Sequence, residues 1–201
     1  MKLRSLTLML ILLLLVPLLA ACGGDDNGNN DGDNGDSQSV SLSQTFSEAG
    51  LTFSYPEGWV AESMGGEGGV AANSQEVLEL AQSDAEDVAL PDGAQAALVF
   101  GFAAPAEAGL DATSILELFT SEGDDTEVGE IQEFTLGERE GVTVTMQDSA
   151  SDSEGAFYVF PIDDSTFGIV AGISNTGDYN DALIREIVES VQFTPPAESD
   201  E

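Results

Sequence analysis

Apolar residues occur in two unlike regimes along the chain. From Leu6 to Ala21 they form an almost unbroken run of 16 residues. After a polar stretch from Gly23 to Ser39 they return in short, patterned groups. Leu51-Thr52-Phe53-Ser54-Tyr55 alternates with period two and predicts a strand. Pro56-Glu57-Gly58 predicts a turn, and Trp59-Val60 follows it. Val70-Ala71-Ala72 predicts a short strand of small residues. Asn73 and Glu76 have capping-box spacing before Val77, Leu78, Leu80 and Ala81, which predicts a short helix. Pro91-Asp92-Gly93 breaks the chain, and Ala97 to Phe102 reads as a nearly continuous apolar strand. Asp111 can cap a helix that runs through Ile115, Leu116 and Phe119.

The second half reads mostly as strand. Glu130 to Leu136 leads into a turn at Gly137 to Gly141, and Val142, Val144 and Met146 then alternate with Thr143 and Thr145. Ala156 to Ile162 and Thr166 to Ile173 are apolar on both faces and flank a turn at Asp163-Asp164-Ser165. Strands of that kind belong in the middle of a sheet covered on both sides. Tyr179, Leu183, Ile184, Ile187, Val188 and Val191 make one helical stripe over about Asp178 to Ser190, with Asp178 and Asp181 at its positive end. Phe193 closes a short last strand before Pro195-Pro196, and residues 195–201 form a polar, frayed tail.

The first apolar run has a different meaning. Lys2 and Arg4 precede it and Leu19-Ala20-Ala21-Cys22 ends it. Sixteen residues fall short of the ~20 that a helix needs to span a bilayer core. A charged start, a short apolar core and a small-residue exit make a signal peptide over residues 1–21; the competing reading is an uncleaved anchor. The ending resembles a bacterial lipobox. That resemblance implies that Cys22 is lipidated and becomes the first mature residue, anchored in a lipid bilayer on the extracytoplasmic side of the cell membrane. Cys22 is also the single cysteine, so the mature domain has neither an internal disulfide nor a thiol nucleophile.

Residues 22–39 then comprise Cys22 and a flexible tether, Gly23 to Ser39, that is rich in Gly, Asp and Asn and has no apolar residue to offset the entropy cost of ordering it. An EF-hand alignment places Asn27, Asn29 and Asp31 at the first ligand positions but puts Gln38 where the bidentate Glu belongs, so the tether reading prevails. The folded domain covers residues 40–194.

Charge narrows the function further. All 38 acidic residues follow Cys22, where only Arg139 and Arg185 oppose them, a formal net charge of −36 for the mature chain. Such a surface repels phosphate backbones and excludes nucleic acid as a partner. Its acids are spread along the chain, which favours solvated faces and salt tolerance over a specific cation site. The mature chain has no His and no Lys. A Ser-His-Asp triad, a usual zinc site and a Schiff base are therefore impossible. Nothing calls for a cofactor or metal, and no catalytic residue stands out.

Three further features could in principle serve as sites. Trp59 could stack on a sugar, but packing behind the Pro56–Gly58 turn is the commoner use of an aromatic. Asp163-Asp164 could hold a cation, but hairpin tips favour such residues anyway. Gly65-Gly66-Glu67-Gly68-Gly69 lacks the Lys-Ser/Thr of a phosphate loop, and flexibility is its expected meaning.

Phe53-Ser54-Tyr55-Pro56-Glu57-Gly58-Trp59 and the ending Ala182 to Phe193, with the hairpins between, resemble the PsbP-like family over about residues 40–194. The resemblance implies an α+β fold, an α-β-α sandwich with a central, mainly antiparallel sheet flanked by helices. It also implies a mostly non-catalytic role, and it transfers no functional residue. The expectation is a membrane-tethered lipoprotein whose domain binds, or serves as an accessory to, a protein partner in the envelope. The alternatives are a sugar- or cation-binding module and a carboxylate-pair hydrolase.

Overall fold

The computed structural model describes residues 41–66, 68–82, 90–104, 109–120, 126–163 and 166–194. Cys22, the signal peptide, the tether with its EF-hand alignment and the tail lie outside the described residues, as do Val40 and Asp164. Among the described residues the elements are β1 (Leu42–Glu48), β2 (Leu51–Pro56), β3 (Val60–Gly65), β4 (Gly68–Ala72), α1 (Gln75–Gln82), β5 (Gln95–Ala103), α2 (Ala112–Phe119), β6 (Thr126–Val128), β7 (Gln132–Leu136), β8 (Arg139–Asp148), β9 (Ser153–Pro161), β10 (Thr166–Asn175), α3 (Asp181–Ser190) and β11 (Gln192–Phe193). The fold is α+β and mostly antiparallel sheet, and every strand pair is antiparallel.

Eight strands form one large sheet in the order β3-β4-β5-β10-β9-β8-β6, with β7 also paired to β8. The two strands that are apolar on both faces, β9 and β10, sit in its interior as their sequences predict. β1, β2 and β11 form a second, three-stranded sheet.

Period-two alternation then divides the core in two. On one face Leu98, Ile169, Val159 and Val144 pack with Val77 and Leu78 of α1 and with Ile115 and Leu116 of α2. On the other face Val99, Val170, Tyr158 and Phe160 pack with Leu183, Ile187 and Val188 of α3 and with Leu51 and Phe53 of the small sheet. Fully burying side chains of this size contributes roughly 1.5–3 kcal/mol each. Neither cluster needs a disulfide to close it.

Three local details differ from the sequence reading. Ser74, not Asn73, caps α1, through the Val77 amide to Ser74 Oγ at 3.2 Å. The Asn73 side chain instead donates to the Gly93 carbonyl at 2.6 Å and accepts from the Gln95 amide at 3.2 Å. α3 starts at Asp181, because Asn180 accepts from the Leu183 amide and forms its cap. Asp178 and Tyr179 therefore precede the helix, and Tyr179 packs on the same apolar cluster from the loop. Finally, β1 and β3 are strands that the polar pattern of their sequences concealed.

Other local expectations hold. The Asp111 carboxylate accepts from the Ser114 amide at 2.8 Å and caps α2. The Pro56–Trp59 turn closes with the Trp59 amide on the Pro56 carbonyl at 3.3 Å, and Gly58 supplies the positive φ of 87° that it requires.

Candidate functional site

Both arginines among the described residues are engaged within the domain. Arg139 at the start of β8 lies 4.3 Å over the Phe160 ring and donates to the Val191 carbonyl at 2.6 Å. It thereby satisfies a carbonyl at the end of α3, where the helix dipole favours a cation. Burial lowers its pKa and the nearby Glu189 carboxylate opposes the shift. Arg185 pairs with Asp181 one turn earlier, at 3.8 Å and largely exposed, an arrangement worth little on its own. Among the described residues Arg185 is thus the one cation with substantial exposure, and a carboxylate partners it.

Beside α3 lies a cleft of about 300 Å³, large enough for a small ligand. Glu127, Thr145, Gln147, Glu154, Gly155 and Tyr179 line it. Sheet register explains why the polar residues meet there. Glu127 of β6 is opposite Gln147 of β8, and Gln147 is opposite Glu154 of β9. The three share one face, so a Glu-Gln-Glu row crosses three neighbouring strands. Strand spacing puts the two glutamate backbones on the order of 10 Å apart.

The inner wall is fixed. Glu154 Oε1 accepts from the Gly177 amide at 2.7 Å and the Tyr179 amide at 3.0 Å, which pins the loop before α3. Behind it the Tyr158 hydroxyl donates to Asp181. The Tyr179 hydroxyl is buried, with the Tyr158 phenol beside it but outside hydrogen-bonding geometry. Both phenol pKa values are pushed upward. Burial is the main cause for each, followed by the Asp181 hydrogen bond for Tyr158 and by the neighbouring Tyr158 and Asp181 for Tyr179. These phenols stay protonated at neutral pH.

The residues singled out in the sequence do not converge on this cleft. Trp59 is half-buried and packs on the apolar cluster beneath α3. Asp163 is exposed at the β9–β10 hairpin, and Asp164 lies outside the described residues. The glycine-rich stretch corrects the flexibility expected of it. Gly68 and Gly69 belong to β4 and are buried. A Cβ on Gly69 would come within 2.8 Å of the Phe46 ring and 2.9 Å of the Phe53 ring, so bare backbone is what lets the small sheet approach the large one. Among the described residues no group of three His, Cys, Asp or Glu side chains is placed to hold a metal ion.

No family model matches the chain. No curated protein matches it. Its fold is similar to that of a protein from Bacteroides thetaiotaomicron VPI-5482, whose crystal structure is known at 1.50 Å resolution. That likeness has a TM-score of 0.50 and 11% sequence identity, and it covers 79% of this chain and 51% of the other. The chain thus spans about half the length of that neighbour, and the likeness concerns the fold alone.

Proposed function

We propose that this chain is a lipid-anchored extracytoplasmic binding domain that docks onto a basic surface of another envelope component and performs no chemistry. One observation carries the reading: Arg139 is spent internally and Arg185 is paired with Asp181, which leaves a surface of overwhelmingly negative balance for a partner of the opposite sign. Such complementarity raises the encounter rate and sets partner choice, and it weakens with added salt. Helices on both faces of an antiparallel sheet fit the PsbP-like sandwich suggested by the Phe53–Trp59 stretch, and that family assignment is part of the proposal. So is acylation of Cys22, with residues 23–39 as a spacer of on the order of 20–25 Å.

The test is to recover the full chain from its own membranes at low ionic strength and release its partner with sodium chloride. A partner that stays bound through molar salt would point to an apolar contact instead. The exposed Leu118 and Met64, at 52% and 36% exposure, are where to look for one.

A second reading rests on the Glu127-Gln147-Glu154 row, since two carboxylates across a cleft can hydrolyse glycosides. Against it, Glu154 spends one oxygen on two backbone amides. Glycosidic turnover abolished by Glu127→Gln would establish this reading over the first.

A further inference from the structure

We propose that the cleft beside α3 is a binding site for an organic cation: a primary ammonium or guanidinium on an aliphatic stem. The inference deepens the docking reading and depends on it. Size is the first argument. About 300 Å³ far exceeds a bare metal ion, and the described residues offer no three-ligand cluster for one. Charge is the second. Two glutamates share the Glu127-Gln147-Glu154 row, and both described arginines are engaged elsewhere, Arg139 on Phe160 and Val191, Arg185 on Asp181. A bound cation would relieve the repulsion along that row.

Shape is the third argument. The Glu154 carboxylate is held by the Gly177 and Tyr179 amides, so one wall is ordered before any ligand arrives. Glu127 and Gln147 on the outer wall are exposed and free to close on a donor group. The amide of Gln147 and the hydroxyl of Thr145, on the same face, can accept hydrogen bonds from an ammonium or guanidinium, and Gly155 and Tyr179 complete the wall along which its stem would lie. A sugar fits less well, because Tyr179 is the one aromatic residue in the lining and is half-buried against the core.

The same chemistry has two sources, a Lys or Arg side chain of a protein partner and a free diamine. Calorimetry on the full chain in non-ionic detergent, at constant ionic strength, separates them. The probes are cadaverine, agmatine, amide-capped lysine and arginine, and pentanediol as the neutral match to cadaverine. Cations should bind and pentanediol should not. Tighter binding of the capped amino acids assigns the site to a protein partner, and tighter binding of the free amines assigns it to small molecules. Glu127→Gln should weaken binding about tenfold and Gln147→Leu should weaken it less. Glu117→Gln, on α2 across the sheet, should leave it unchanged. All three positions are exposed, and unchanged melting curves would show that the variants fold.

Equal binding of pentanediol, or equal losses in Glu127→Gln and Glu117→Gln, would overturn the proposal. If no cation binds the cleft while a salt-released partner is still recovered from membranes, the site assignment fails and the docking reading survives. If neither is seen, both fail.

Discussion

Gly69 and Arg139 show how single residues hold this domain without a disulfide. Gly69 leaves room for the Phe46 and Phe53 rings, so Gly69→Ala forces either those rings or the β4 backbone to move. Overpacking of this kind costs about 1–3 kcal/mol, and chemical denaturation should show a lower midpoint with an unchanged slope. Arg139→Met keeps much of the stem but loses the Val191 bond and the charge over Phe160. A loss on the order of 2 kcal/mol is expected, and Arg139→Lys should restore only part of it. The two buried phenols set an alkaline limit. Their folded pKa values lie above the unfolded value of about 10, so the stabilisation is complete below that pH and is lost as pH rises beyond it. Stability followed against pH should fall above about pH 10, and Tyr158→Phe should flatten that fall. A wild-type profile that stays level there would refute the assignment.

At the scale of elements, β5 depends on its neighbours. Asn73, just after β4, bonds Gly93 and Gln95. Asn175, at the end of β10, accepts from the Ala94 amide at 3.0 Å and donates to the Leu90 carbonyl at 3.2 Å. Two amides thus clamp the entry to β5 from either side. Asn175→Ala takes its donor from the Leu90 carbonyl, while the Ala94 amide keeps the Pro91 carbonyl at 2.9 Å; it should cost about 1–3 kcal/mol, more than Ser74→Ala at the exposed α1 cap. Thermal melts of the two variants compare them directly.

What could be read from the sequence follows the same physics. β2, β8, β9, β10 and α2 announce themselves because burial imposes a period on their apolar residues. β1 and β3 do not, since their faces are largely solvated and their order comes from pairing. Asn73 misleads because its spacing suits a cap, while its actual partners lie about twenty residues away. The cleft was hidden for the same reason. Gln147 and Glu154 flank a recognisable hairpin, but Glu127 reaches them only through the pairing of β6 with β8, which no local pattern encodes.

The whole molecule is governed by charge of one sign. Its acids repel one another at low ionic strength, and neither arginine relieves them at long range. The melting temperature should therefore rise from dilute buffer to molar sodium chloride. Calcium added at constant ionic strength should contribute little; a large, saturable increase would indicate a specific cation site instead. The same excess of acid is what makes a basic partner the natural one under the proposed reading, in which an acyl group on Cys22 and the spacer after it would hold the domain close. The most direct test of that account is affinity recovery of the full chain from its own membranes. The account predicts a stoichiometric partner at low ionic strength that comes away as sodium chloride is raised. Recovery of no partner, or of one that molar salt leaves in place, would contradict it.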